Sequence, residues 1–488
     1  MCGILLAQSQ TNIPLERHLA ATELLASRGP DFTRYQYRNG IFIAQTVLHI
    51  TGTADFYNQS KSDFLAYNGE IYNHRWFGGR DNNDVELVYS AVKDSLKKFR
   101  YFEGPWAWAY TDFSQVSYAS DPQGEHYLYR YQDNDILIVC SEVAPILTYI
   151  DAVKVDVPYA NKTWTMQAET PWHGIERLEP GRLYTGRDKT YSIDNIWNWV
   201  SPAKYNSINE AQEEFDQLWD QTMQEQRPNT SVALSYSGGI DSSIILKSLP
   251  SPQLITIDMK GKDPVAANIH NAIGVDEQQY AKEYLDLLHR TQMPAQSWSF
   301  VGKWMVAKAC NTRVLFTGLG ADELFGGYGV YQTIDYDQKQ SHSPYSEHGD
   351  PAIWQKCLEV YAGDPRQATL LMDYWYQVIG CDAPGLDRIG GAWGIETRNP
   401  FLSRRIMQFA LNLPWEYKVN TTTKPILRQR YLQDWGKEYV LPKQGFAGHA
   451  NDALPWLGVD ITPTGNRYDD WKQIARRTFY TDDKDQNS

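Results

Sequence analysis

The chain has 488 residues, more than a single core of roughly 250 to 300 residues supports, so at least two domains are expected. An apolar share of 42%, a charged share of 22%, 17 Trp and 32 Tyr describe a chain that buries large side chains rather than a disordered one. A net charge of −13, with 46 Lys+Arg against 59 Asp+Glu, argues against nucleic acid as the partner, and five scattered cysteines (Cys2, Cys140, Cys310, Cys357, Cys381) match neither a disulfide framework nor paired zinc ligands.

The N-terminus carries no basic and apolar leader, and no run of about 18 apolar residues occurs, so a cytoplasmic protein without membrane contact is expected. Over the first 200 residues, short alternating apolar runs such as Ile41-Phe42-Ile43-Ala44 and Ile136-Leu137-Ile138-Val139 predict strands, with helices over about 15–26 and 84–96. A boundary is expected near Ser201-Pro202, after a strand-like stretch holding Trp197 and Trp199. Beyond it a helix over 210–226 places Phe215, Leu218, Trp219 and Met223 on one stripe. Strands over 232–237, 254–259 and 313–317 then alternate with helices, which predicts a parallel sheet with its ligand beyond the carboxyl ends of the strands. The residues from about Thr478 are a polar tail.

Cys2 follows Met1 directly, so removal of Met1 gives one residue both a nucleophilic thiol and an α-amine of pKa about 7.7 to 8.0 that can take the thiol proton. Cys2-Gly3-Ile4, Arg28-Gly29-Pro30-Asp31 and Tyr67-Asn68-Gly69-Glu70-Ile71-Tyr72-Asn73 together resemble the hallmark segments of N-terminal-nucleophile glutamine amidotransferases. The resemblance implies that Asn68 and Gly69 form an oxyanion hole and that Arg28, Glu70 and Asp84 bind glutamine, with Asp84, in Asn83-Asp84-Val85-Glu86, holding its α-ammonium. Val47 stands where this family has an arginine for the glutamine carboxylate, and a Val cannot make that charge-assisted contact, so glutamine binding is expected to be weaker, rebuilt with another group or lost; His49 reads as a core histidine rather than as the substitute.

Ser237-Gly238-Gly239-Ile240-Asp241-Ser242-Ser243, between a strand and a helix, is a pyrophosphate cradle in which backbone N–H groups and hydroxyls meet phosphate oxygens. It resembles the PP-loop of ATP pyrophosphatases, and Thr317-Gly318-Leu319-Gly320-Ala321-Asp322-Glu323-Leu324-Phe325-Gly326-Gly327-Tyr328 resembles the signature loop of asparagine synthetases. The resemblance extends to Asp387-Arg388, Glu396-Thr397-Arg398-Asn399-Pro400-Phe401-Leu402, Lys424-Pro425-Ile426-Leu427-Arg428 and Lys443-Gln444-Gly445-Phe446. It implies ATP binding by Ser237, Gly238, Gly239, Asp241, Ser242, Ser243, Met259, Thr317 and Gly318, Mg²⁺ held by Asp241 and Asp322, and stabilisation of the adenylation charge by Lys443. Leu319 and Ser403 depart from the family, which has Glu and Asp there in the aspartate-specific enzymes. His342, His348, Glu347 and Asp350 sit in a Ser/Pro/Gly-rich stretch and read as a solvated loop rather than a zinc site.

The fold implied is an α+β αββα N-terminal-nucleophile domain over 1–200, an α/β parallel-sheet PP-loop domain over 205–475, and a tail over 476–488. The activity implied converts glutamine, ATP and aspartate to asparagine, glutamate, AMP and pyrophosphate. The small-molecule substrates, ATP and Mg²⁺ are its partners, and a homodimer is compatible with it. Two alternatives stand beside it: amidation or ring closure of another carboxylate by the same adenylating domain, as in the related β-lactam synthetases, and a non-catalytic protein that retains the fold.

Overall fold

The computed structural model describes residues 1–50, 62–78, 84–150, 170–202, 205–259, 272–292, 299–334, 336 and 350–438. Two antiparallel sheets form the N-terminal part. The first runs in the order β2 (Phe32–Arg38), β3 (Ile41–Val47), β1 (Gly3–Ser9), β8 (Ile136–Cys140), β7 (Tyr129–Gln132), β9 (Ile175–Arg177). The second runs β11 (Lys189–Ser192), β10 (Arg182–Thr185), β6 (Val116–Ser120), β5 (Trp106–Thr111), β4 (Phe64–Gly69).

Both faces of the central strands are apolar, because each faces a different layer. Ile4 and Leu6 of β1 join Phe64, Ala66, Ala107 and Ala109 of the second sheet in a core between the sheets. Leu5 and Ala7, pointing the other way, pack with Ala21 of helix α1 (Leu15–Glu23) and with Val143 and Ile146 of α3 (Val143–Leu147). On the outer face of the second sheet, Tyr67, Trp106 and Trp108 meet Leu87, Val88 and Ala91 of α2 (Asp84–Asp94). The layering is therefore helix, sheet, sheet, helix, as expected.

The third sheet is wholly parallel, in the order β14 (Ala272–Val275), β13 (Gln253–Met259), β12 (Ala233–Ser235), β15 (Val314–Phe316), β16 (Glu396–Arg398). Leu234 and Phe316 face one core with α4 (Ile208–Gln226) and α5 (Ile240–Ser248), while Ala233, Ile255 and Leu315 face another with α6 (Glu277–Thr291) and α7 (Ser299–Lys308). Helix α4 begins at Ser207, whose hydroxyl accepts from Glu210 N at 3.3 Å, and buries Ala211, Phe215, Trp219 and Met223 at four-residue spacing. Chain order places β12 in the middle, with β13 and β14 to one side and β15 and β16 to the other. The switch point thus lies between the carboxyl ends of β12 and β15, where a parallel sheet opens a ligand crevice.

The stretch around Trp197 and Trp199 is a 3-10 turn over Ile196–Trp199, not a strand. Asn195 caps it by accepting from Trp197 N at 2.9 Å, and both indoles pack into the core of the parallel-sheet part. Helices α8 (Ala321–Phe325), α9 (Pro351–Val360), α10 (Pro365–Asp373), α11 (Ala383–Ala392), α12 (Arg404–Asn412) and α13 (Pro425–Trp435) complete the described structure. No helix among the described residues is long and apolar enough to cross a membrane.

Candidate functional site

Cys2 lies at the start of β1, the central strand of the first sheet, opposite the end of β4. Its backbone N–H donates to Asn68 Oδ1 at 2.6 Å, which fixes the orientation of that amide: the oxygen faces Cys2 and Nδ2 remains the donating end. Gly69 has φ of 151°, and a Cβ there would lie 2.3 Å from Pro105 O, so only glycine brings the backbone through this point. Asn68, and Gly69 next to it in the chain, thereby lie beside Cys2.

Burial pushes the Cys2 thiol pKa up, opposed by the nearby α-ammonium, the Leu48 backbone amide and the Gln45 side chain. Gln45 donates to Tyr67 O at 2.5 Å and accepts from Arg34 Nη2 at 2.7 Å, so Arg34 sets which end of Gln45 faces the thiol. Burial lowers the Arg34 pKa to about 10, and the charge of Cys2 counteracts it. Neither Gln45 nor Arg34 stood out in the sequence, because no local motif surrounds them; β2 and β3 bring them to Cys2 only through pairing.

Asp84, at the start of α2, accepts from Tyr67 OH and Ile71 N, each at 3.0 Å, and burial raises its pKa. Glu70 faces Arg398 of β16 at 3.4 Å. Arg28 differs from the expectation. Its Nη2 donates to both oxygens of Asp387 at 3.0 and 2.9 Å, its Nη1 pairs with Glu142, and its Nε donates to Cys2 O at 3.0 Å. The guanidinium is engaged with protein groups on every nitrogen, so it positions Cys2 and joins the two parts of the chain rather than offering a fork to glutamine. Val47 is buried in β3, and the backbone of His49 is held by Asp31 Oδ2 at 2.7 Å and by Arg313 at 2.9 Å.

Around Arg28 the junction is a buried polar network. Asp387 also meets His126 Nδ1 at 2.8 Å; burial pushes its carboxyl up, but Arg28 and His126 outweigh this and hold its pKa below the usual range. Asn399 donates to Glu125 Oε2 at 2.9 Å and accepts from Thr317 Oγ1 at 2.5 Å, so one side chain links the N-terminal part to the loop after β15. Met1 is buried in the same junction, where a Cβ on Gly390 would lie 2.7 Å from its Cε, and burial lowers the pKa of its amine.

At the switch point, the turn after β12 bends at Gly238, with φ of 69°, into α5, and Ser237 Oγ lies 3.3 Å from Ser242 Oγ. The loop after β15 comes against it, since a Cβ on Gly318 would lie 3.1 Å from Asp241 Cβ. Ser237, Gly238, Gly239, Asp241, Ser242, Ser243, Thr317, Gly318 and Asp322 are thus gathered at one crevice. The Met259 side chain and Lys443 lie outside the described residues, as do Asn83, His342, Glu347 and His348.

Asp241 and Asp322, from the first turns of α5 and α8, converge on one cation, the Lys424 ammonium: Asp241 Oδ1 at 2.7 Å, Asp241 Oδ2 at 2.7 Å and Asp322 Oδ1 at 2.6 Å. Burial works against this ammonium, yet the two carboxylates prevail and raise its pKa. Two carboxylates from separate helix starts aimed at one point form the donor set that a hard cation such as Mg²⁺ takes. Glu323 is raised by burial and by the charge of Asp322. Leu319 lies half-buried against the core. Ser403 is buried beside Thr222 and caps α12, accepting from Ile406 N at 3.5 Å. An Asp there would cap equally well, so the difference from the family is one between two good N-caps. Asp350 likewise caps α9, accepting from Ala352 N at 2.8 Å.

An N-terminal-nucleophile amidotransferase sandwich followed by a parallel-sheet domain with a phosphate-type turn at its switch point defines a two-part amidotransferase and synthetase class. The chain matches the family model of the glutamine amidotransferase domain over residues 1–197 and that of asparagine synthase over residues 214–447. It is 23% identical to asparagine synthetase B [glutamine-hydrolyzing] of Escherichia coli, over 82% of this chain and 72% of that one. It is also 23% identical to amidase chyE of Penicillium rubens, covering 69% of this chain and 58% of that one. To asparagine synthetase [glutamine-hydrolyzing] 1 of Bacillus subtilis it is again 23% identical, covering 68% and 60%. The chain is a divergent member of the asparagine synthetase family, a group of ATP-using, glutamine-dependent ligases.

Proposed function

We propose that this protein makes asparagine from aspartate, with glutamine as nitrogen donor and ATP as activator. The observation that carries the reading is the convergence of Asp241 and Asp322 on one cation at the switch point, within the same chain as Cys2 bonded to Asn68. Once Met1 is removed, the Cys2 amine takes the thiol proton and the thiolate attacks the glutamine carboxamide carbon. Asn68 Nδ2 and Gly69 N–H hold the oxygen as it gains charge, ammonia leaves, and water releases glutamate from the thioester. Arg28 holds the Cys2 carbonyl in place, and Asp84 takes the glutamine α-ammonium.

In the second part, the aspartate side-chain carboxylate attacks the α-phosphorus of ATP, pyrophosphate leaves, and ammonia displaces AMP from the acyl-adenylate. The Ser237–Ser243 turn holds the phosphates and Lys443 offsets their charge. Asp241 and Asp322 would hold Mg²⁺, which would supply charge neutralisation for the phosphates. The buried Arg28–Asp387 junction keeps the transfer of ammonia away from bulk water.

Leu319 supports a second reading within the same class, in which the acceptor is another carboxylic acid. The apolar Leu319 side chain, packed against the core, cannot pair with an ammonium group. Incubation with glutamine, ATP, Mg²⁺ and aspartate, followed by mass spectrometry, is expected to yield asparagine, glutamate, AMP and pyrophosphate. AMP formation only with a different acid would replace the substrate, and absence of pyrophosphate with every acid tried would remove the adenylating role.

A further inference from the structure

We propose that Lys424 is a resident counter-ion that holds the Asp241–Asp322 pair in the metal-free protein and yields that position to the divalent cation arriving with the nucleotide. The inference rests on the reading of this pair as the Mg²⁺ site.

The position is shared by construction. Lys424 Nζ is within 2.7 Å of both oxygens of Asp241 and 2.6 Å of Asp322 Oδ1, so it lies at the point on which the carboxylates converge. An ammonium and a divalent cation cannot share that point, because two like charges about 4 Å apart or closer repel strongly in a poorly solvated site. One must move for the other to enter.

The fold places the lysine there deliberately enough to strain its backbone. Lys424 has φ of 55° and ψ of 50°, a left-handed conformation uncommon for a residue with a side chain, immediately before Pro425 and helix α13. Its N–H donates to Lys418 O at 3.0 Å and its carbonyl accepts from Arg428 N at 2.9 Å, so the backbone is pinned on both sides. Gly327 makes room for the side chain: a Cβ there would lie 2.1 Å from Lys424 Cε and 1.9 Å from Asp322 Oδ1. A pinned backbone with a four-methylene arm lets the ammonium leave the carboxylates without moving the helix. The Ser237–Ser243 turn that carries Asp241 is adjacent, so nucleotide phosphates are the acceptors to which it turns.

The consequence is ordered binding. Metal alone must displace an internal cation, whereas metal with nucleotide brings negative charge for both cations, so the protein takes Mg²⁺ only with ATP. Mn²⁺, as a spin probe for Mg²⁺, tests this by paramagnetic resonance titration of the full chain with and without α,β-methylene ATP. The wild type is expected to bind Mn²⁺ only with the nucleotide. Lys424→Met is expected to bind Mn²⁺ alone about tenfold tighter or more than the wild type, with a melting temperature that Mg²⁺ raises by itself. Lys424→Arg, which keeps the charge, is expected to behave as the wild type. If Lys424→Met does not fold, Lys424→Gln carries the same expectation, since it removes the charge and keeps a hydrogen-bond donor. Nucleotide-free Mn²⁺ binding no tighter in the charge-removing variant than in the wild type overturns the inference. Absence of Mn²⁺ binding by the wild type even with nucleotide overturns the metal-site reading, and the inference with it.

Discussion

Asp387→Asn isolates the junction between the two parts of the chain. The carboxylate receives two bonds from Arg28 Nη2, at 3.0 and 2.9 Å, and lies 2.8 Å from His126 Nδ1, with all three groups buried. Removing one partner of a buried ion pair costs about 3 to 5 kcal/mol, because the remaining charge stays away from water. Glu142 and Cys2 O still engage Arg28, which places the expected loss near the lower end, about 3 kcal/mol. Urea denaturation of the variant measures that loss. Because Arg28 also holds the Cys2 carbonyl, the ratio of glutamate to AMP formed is expected to rise above that of the wild type as ammonia escapes. The double replacement Arg28→Met/Asp387→Leu also takes the partner from Glu142, so neither stability nor the ratio is expected to recover. Since the folded pKa of Asp387 is depressed, its stabilisation is present above the unfolded carboxylate pKa of about 3.9 and is lost as the pH falls through the lower folded value. A loss under about 1 kcal/mol together with an unchanged product ratio would refute the assignment of this pair as the tie between the parts.

Asn68→Ala is expected to lower glutamine-dependent kcat by about 10²- to 10³-fold while synthesis with added ammonium salt persists, as steady-state assays with each donor will show. Glu125 behaves oppositely to Asp387: burial and the charge of Asp121 raise its pKa, so its contribution falls as the pH rises from about 4.3 through the folded value. Glu125→Gln, which keeps an acceptor for Asn399, is therefore expected to flatten the stability profile over that window and to raise stability at neutral pH in denaturant titrations. Ser403→Ala is expected to cost about 1 kcal/mol through loss of the α12 cap, whereas Ser403→Asp changes stability by a few tenths at most.

Much of the fold was legible because it is written in local periodicity. The four-residue stripe of Phe215, Trp219 and Met223 and the glycine turn at 238–239 each specify backbone geometry within a few residues, and the structure has them where expected. The stretch at Trp197 and Trp199 misled because a two-residue spacing of indoles in a short segment fits a strand as well as a 3-10 turn. Only the Asn195 cap and the second core below distinguish them. Ser403 stands out in the sequence only as a departure from the family's Asp; that it is a helix cap depends on where α12 starts.

From sequence alone came the parts: Cys2 after Met1, the Asn68-Gly69 pair, the two turns after parallel strands, and the class of ligand expected at each. These follow from residue type and near-neighbour spacing. Tertiary structure decided how the parts are wired: Arg28 to Asp387 across 359 positions, Asn399 to Glu125 across 274, and Lys424 to Asp241 across 183. Charges so far apart in the chain have no local signature. Their pairing arises only when burial removes water and leaves another side chain as the partner that offsets the cost of desolvation.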